Sequence, residues 1–340
     1  MKGRISVFLL MGIFLMVSTA GAAQWANPGL LVTPKVVKKN IDKPDWVVVD
    51  CRGLKDYAKG HIPGAISLGK RCKKALRDST ARVFRNTSKY EKIFGKVGIG
   101  NNTHVVLYYG DVKTLPDATV AFWIMEYLGH DKVQLLNGGV DAWRKAGFRL
   151  DRKPVRKAAK TFKAKVVHSR YASSDEILQI AKGEEKANLI DSRTKKEYVG
   201  KDCRAIRCGH VPNVTKNVSH INTLLKVKDK KTGKMKPVAY LNPAVVGKAF
   251  GDLDKNKRTI GYCQTGTRST LTYLELRLLG FKNPANWDES WRVWGSHYND
   301  YPVAAPNGEQ WYNFAKVNKT LKKLTKKVKK LEKALKKAKR

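Results

Sequence analysis

The stretch Tyr262-Cys263-Gln264-Thr265-Gly266-Thr267-Arg268-Ser269 sets a cysteine between an apolar, strand-like approach and a long helical pattern. No histidine lies within it to act as a base. A loop running from Cys263 to Arg268 would turn its backbone N–H groups inward around the sulfur. A helix opening near Ser269 would add the positive partial charge of its N-terminus. Together with Arg268, these donors favour thiolate over thiol and draw the pKa from about 8.5 toward neutrality. Gly266 allows the tight turn, and Thr265, Thr267 and Ser269 supply hydroxyl donors. The same donors would hold an anionic persulfide. The chemistry that fits is two-step covalent transfer: the thiolate takes sulfane sulfur from a donor, and a thiol or cyanide removes it.

The elements that must position this loop occur twice. Residues 47–65 read VVVDCRGLKDYAKGHIPGA and residues 189–214 read LIDSRTKKEYVGKDCRAIRCGHVPNV. Each has an apolar strand, Asp-x-Arg, a helical turn bearing Lys and Tyr, and Gly-His-(Ile/Val)-Pro. The run Val105 to Tyr109 corresponds to Arg258 to Cys263, and each leads into an apolar-periodic helix ending in Leu-Gly. Asn137 to Trp143 and Asp288 to Trp294 close the two halves. A duplicated domain follows. Short β-rich runs alternating with helix-period segments predict an α/β domain with a mostly parallel sheet flanked by helices. Such sheets bind ligands beyond the carboxyl ends of their strands, where Asp50, Tyr109, Asp191 and Cys263 fall. Between the halves, 151–170 reads as a basic linker, and Ser174 is the expected N-cap of the next helix.

In these motifs the chain resembles the tandem-domain rhodaneses, the sulfurtransferase family that includes thiosulfate and 3-mercaptopyruvate sulfurtransferases. The resemblance spans roughly 35–302: domain 1 over 35–150 and domain 2 over 171–302. It implies a nucleophile in the second domain, at Cys263, and a silent first domain, because Tyr109 stands at the matching position and a phenol forms no persulfide. It also implies an active site between the domains, with the first half supplying a wall. Phosphatases and arsenate reductases of related fold resemble Cys-x5-Arg, whereas Cys263 and Arg268 are spaced Cys-x4-Arg, which suits one sulfur atom. Gln264 and Thr265 match neither the basic residues of thiosulfate-type loops nor the small ones of mercaptopyruvate-type loops. Glu197 stands where the family often has a substrate-binding arginine. The donor therefore remains open among thiosulfate, 3-mercaptopyruvate and a persulfide or polysulfide. A second reading is a non-catalytic sulfur carrier or binding module. Asp191 with Arg193, like Asp50 with Arg52, reads as a structural pair that orients loops. His61 and His210 read as turn and packing residues, and Trp291 as core, with a pocket-lining role as its alternative.

The compartment is read from the N-terminus. Lys2 and Arg4 precede the apolar run Ile5 to Val17 and then small residues, the pattern of a signal peptide over 1–23. An exported protein, periplasmic or extracellular, is expected, in surroundings that permit disulfides. Of five cysteines, Cys203 and Cys208 are the natural pair, Cys51 and Cys72 the poorer one, and an odd count leaves a free thiol. No C-x-x-C occurs, which disfavours structural zinc, and the chemistry above needs no cofactor. Lys and Arg number 68 against 28 Asp and Glu, a net +40, so anionic partners are expected. From 303 to 340 the chain is a Lys-rich helical tail. Val317, Leu321, Leu324, Val328, Leu331, Leu335 and Ala338 form a heptad stripe among lysines. An anionic membrane face, an acidic protein and a solvated extension all fit the tail, and nucleic acid fits export poorly.

Overall fold

The computed structural model describes residues 23–296, 301–305 and 311–338. The leader assigned to 1–23 lies outside them except for Ala23. In the first half, β1 (Leu31–Val32), β2 (Trp46–Asp50), β3 (Ile66–Ser67), β4 (His104–Tyr108) and β5 (Val133–Leu136) form a parallel sheet of order β1-β5-β4-β2-β3. Strands β2 and β4 carry the apolar runs 46–49 and 105–108 and have only their first residue partly exposed, as a sheet covered on both faces requires. The helices are α1 (Pro34–Asn40), α2 (Leu54–Lys59), α3 (Cys72–Ala75), α4 (Ser88–Lys96), α5 (Leu115–Tyr127) and α6 (Gly139–Lys145).

The second half contains β6 (Tyr171–Ala172), β7 (Asn188–Asp191), β8 (Arg207–Cys208), β9 (Lys216–Asn217), β10 (Leu224–Lys228), β11 (Met235–Leu241), β12 (Arg258–Tyr262), β13 (Asn283–Trp287) and β14 (Trp311–Tyr312). Its main sheet, β6-β13-β12-β7-β9, is again parallel and repeats the first sheet strand for strand. The helices are α7 (Ser174–Lys182), α8 (Lys195–Tyr198), α9 (Pro243–Phe250), α10 (Ser269–Leu278), α11 (Ser290–Trp294) and α12 (Phe314–Ala338). The N-cap of α7 is Ser173, one residue before the expected one: its hydroxyl accepts from the Glu176 N–H, while Ser174 is already helical.

The halves join through equivalent helices, those that follow β4 and β12. Helix α5 is buried from Leu115 to Glu126, and α10 is buried except at Arg277. Helices buried on nearly all sides belong between packed layers. They touch through Thr119 and Thr270, whose hydroxyls lie 2.8 Å apart, and through Glu126, which accepts from Arg277 and Tyr273. One apolar cluster draws on both halves, from Val47 and Phe122 to Leu274 and Phe281.

Three segments differ from their sequence reading. The linker is an extended strap: Lys160 and Lys165 donate backbone hydrogen bonds to Gly95 and Leu128, and Phe162 is buried. The antiparallel hairpin β10–β11 is absent from the repeat pattern and reaches back onto the first half. The chain also remains on the second domain beyond 302, because Ala304 bridges His210 and β14 pairs with β8 before α12 begins.

Both cysteine pairs are closed. Cys203–Cys208 is as expected; Cys51–Cys72 corrects the expectation that it was the poorer pair. The chain leaves β2, returns through β3 alongside it, and starts α3 beside the end of β2. The Cys72 N–H then donates to the Cys51 carbonyl, and the two Cα atoms stand 4.8 Å apart.

Candidate active site

Cys263 follows β12 directly and is the free cysteine among the described residues. The first turn of α11 grips its backbone. The Cys263 N–H donates to Ser290 Oγ (3.1 Å), and the Cys263 and Gln264 carbonyls accept from Trp291 and Arg292 N–H groups. Ser290 holds φ at +51°, uncommon for a residue with a side chain, and its hydroxyl also donates to the Trp287 carbonyl. Gly266 sits at φ +64°, and a Cβ there would stand 2.5 Å from the Asp288 carbonyl oxygen. No other residue type fits that turn without moving its neighbour.

The sulfur faces the interior of the loop. The Arg268 N–H reaches Sγ at 3.3 Å, at the mouth of α10. Burial pushes the thiol up. The Arg268 charge, the Thr265 and Ser269 N–H groups and the Ser269 hydroxyl outweigh it, so the pKa lies below its ordinary value. The hydroxyls largely brace the loop: Ser269 donates to Asn286 Oδ1, the Asn286 amide donates to the Gly266 carbonyl, and Thr270 donates to the Thr267 carbonyl.

Two findings sharpen the sequence reading. The guanidinium of Arg268 turns to Glu197, with two N–H···O contacts of 2.7 Å each. Burial opposes the Glu197 charge, but Arg268 and the capping contacts of Thr194 hold its carboxyl down at about 2. Arg268 therefore acts on the sulfur through its backbone N–H and its field, while its side chain ties the loop to α8. Glu197, noted in the sequence only as a missing arginine, is the anchor.

The second finding is Arg77, from the first half. It is buried, ion-paired to Asp288 at 2.5 Å, and donates to the Gly266 carbonyl and Thr267 hydroxyl at 2.9 Å each, with a longer contact to the Thr265 carbonyl. A peptide unit whose carbonyl is held from outside presents its N–H to the other side, so Arg77 fixes the orientation of the Thr265–Gly266 and Gly266–Thr267 peptide units of the loop. Nothing in its local sequence marks it, apart from lying in the basic run Arg71 to Arg77.

The expected supporting residues lie beneath the loop. Asp191 pairs with Arg193 (2.7 Å) and accepts from the Tyr262 hydroxyl; Arg193 also donates to the Gly209 carbonyl and stacks 4.4 Å over Trp291. The first half repeats this with Asp50, Arg52, Tyr108 and Gly60. A contact set retained where there is no cysteine is scaffold. Trp291 is 1% exposed and lies in the core. His61 and His210 stack on Tyr57 and Tyr198, as packing residues do.

Above the loop, an interdomain cleft of about 1280 Å³ is lined by Lys70, Lys73, Lys74 and Arg77 of the first half and by Thr265, Thr267 and Arg268 of the second. In the first half, Tyr109 occupies the place of Cys263. Its hydroxyl donates to the Ala239 carbonyl of β11 and accepts from the Gly138 N–H, and the Tyr240 ring leaves no room for a Cβ at Gly138. The hairpin fills what would be a second site. Among the described residues no group of three or more His, Cys, Asp or Glu could hold a metal ion.

Comparison with known proteins bears on this arrangement. The rhodanese-like domain family matches residues 33–146 and 173–297. A protein of Saccharopolyspora erythraea named putative thiosulfate sulfurtransferase is 36% identical over 250 residues, 71% of this chain and 83% of that protein. The sulfur carrier protein TtuD of Thermus thermophilus is 29% identical over 80% of this chain and 95% of its own length. The fold resembles that of the 3-mercaptopyruvate sulfotransferase SseA of Escherichia coli, with a TM-score of 0.63 at 22% identity over 77% of this chain and 98% of that one.

Proposed function

The chain belongs to the rhodanese-like family and is a rhodanese-type sulfurtransferase; from that premise we propose that its nucleophile is Cys263 and that its donors are small sulfur-containing anions. The observation that carries this reading is a free, buried cysteine, its pKa lowered, in a loop whose Thr265, Thr267 and Arg268 line a lysine-bearing cleft. Lys70, Lys73 and Lys74 draw in an anionic donor. The Cys263 thiolate attacks the donor's outer sulfur; the bond from that sulfur to the rest of the donor breaks, and its electron pair leaves with the departing group. With thiosulfate the departing group is sulfite. The product, Cys263–S–S⁻, stays anionic and lies among the donors that held the thiolate. An acceptor thiolate or cyanide then attacks the outer sulfur and returns Cys263 as thiolate, so no external redox partner is needed. The first domain is silent, with Tyr109 in place of a nucleophile.

Export to a periplasmic or extracellular space is part of the same proposal. The N-terminal charge and hydropathy pattern and two closed disulfides support it. Periplasmic fractionation with N-terminal sequencing of the mature chain tests it; a cytoplasmic, unprocessed chain would end it. A carrier role is the second reading. It is favoured by the 0% exposure of Cys263, which would shelter a persulfide, and by the relative named as a sulfur carrier. A panel of donors and acceptors separates the two: rapid turnover with a small acceptor supports the enzyme, and a stable adduct without turnover supports the carrier.

A further inference from the structure

We propose that the groove between α12 and the second domain is a docking site for an acidic segment of a partner protein, seated beside the Cys263 loop. Helix α12 is fixed at its root. The Asn313 side chain donates to the Cys203 carbonyl (2.8 Å), and its N–H donates to the Ile206 carbonyl (2.7 Å), inside the segment that the Cys203–Cys208 disulfide closes. The face turned toward the domain is mostly basic, with Leu324 of the apolar stripe at its edge. Lys316, Lys323, Lys327 and Lys330 line the groove, while Leu321, Val328, Leu331 and Leu335 lie about 100° around the helix by its periodicity and remain more than half exposed.

The opposite wall carries Gln264, Arg292 and Ser296. Arg292 Nη2, Gln264 Oε1 and Ser296 Oγ are buried there and have no hydrogen-bond partner among the described residues. Cations therefore face cations across about 660 Å³, and among the described residues no carboxylate lines the groove. Like charges held on facing walls repel unless an anion lies between them. An extended acidic chain supplies that charge and has carbonyls and N–H groups for the orphaned polar atoms. A flat bilayer cannot enter a concave groove, and among the described residues no aromatic side chain lines it to stack a base. Gln264 ties the two sites together, since it follows Cys263 and belongs to the groove wall. A cysteine next to such an acidic segment would be brought to the loop as sulfur acceptor. This acceptor role rests on the sulfur-transfer reading; the binding does not.

The test uses the full chain and two short peptides of equal length with one cysteine each, one rich in Asp and Glu, the other in Asn and Gln. Fluorescence anisotropy measures binding, and quenched-flow mass spectrometry measures sulfur transfer from the donor-loaded protein to each peptide and to a small thiol. The acidic peptide should bind and should accept sulfur at least about tenfold faster than the neutral one. The triple variant Lys323→Glu, Lys327→Glu, Lys330→Glu should lose that preference and keep its rate with the small thiol. Equal behaviour of the peptides, or a variant that keeps the preference, overturns the proposal. So does binding to phosphatidylglycerol vesicles without binding to the acidic peptide. If no donor loads the wild-type protein, the sulfur-transfer reading fails while anisotropy still decides the groove.

Discussion

At the scale of single residues, Cys263 depends on neighbours that hold a negative charge, since the motif contains no base. The Arg268 charge and the loop donors lower its pKa, so its alkylation rate should level off at lower pH than for a free cysteine. Replacing Arg77 with Met frees the Gly266 carbonyl and should raise the midpoint of that profile by roughly one pH unit. A purely structural role for Arg77 would lower thermal stability and leave the midpoint in place. Gly266→Ala forces φ +64° on a residue with a Cβ against Asp288 and should cost about 1–3 kcal/mol in denaturant unfolding. Much of this was legible in the sequence, because Cys263 to Ser269 is local and the loop geometry follows from residue types and spacing. Arg77 was not, since it meets the loop only across 189 residues of chain and a domain interface. Glu197 was read by what it replaces, and its partner became visible only when α8 lay against the loop.

At the scale of elements, α10 carries both the loop and the interface with α5. Glu275 of α10 is buried, and burial, opposed only by the Thr223 hydroxyl, pushes its pKa up to about 8. A carboxyl whose folded pKa is raised contributes its stability below the unfolded value and loses it as pH climbs through the folded value. Glu275→Gln should therefore raise Tm more at about pH 9 than at about pH 5 by calorimetry. Glu197 works the other way. Its folded pKa is depressed to about 2, so its contribution is complete above the unfolded value of about 4.5 and fades as pH falls toward 2. The repeated strands were legible from their apolar runs. The hairpin β10–β11 was not: its strands carry lysines and a charged turn, and read as loop until Ala239 and Tyr240 are seen against Tyr109 and Gly138. The Cys51–Cys72 bond was read as the poorer pair for a related reason, because pairing β3 with β2 brings together cysteines whose separation of 21 residues says nothing.

At the scale of the whole molecule, two copies of one domain have divided the work. The second keeps the cysteine loop; the first contributes Arg77 and the lysines of the cleft, and its own site is closed by Tyr109 under the hairpin. The chain carries an excess of 40 positive charges and Lys70, Lys73 and Lys74 line the cleft, so the apparent KM for an anionic donor should rise with ionic strength while kcat holds, in steady-state assays across a salt series. The charge balance was plain from composition, but which lysines face the loop depended on how α5 and α10 dock. The most direct measurement is intact-protein and peptide mass spectrometry of the wild type and Cys263→Ser after donor treatment, followed by a small thiol. The account predicts one added sulfur atom on Cys263, removed by the thiol, with no adduct and no turnover in Cys263→Ser. Full turnover in Cys263→Ser, or an adduct on another residue that the thiol discharges, would contradict it.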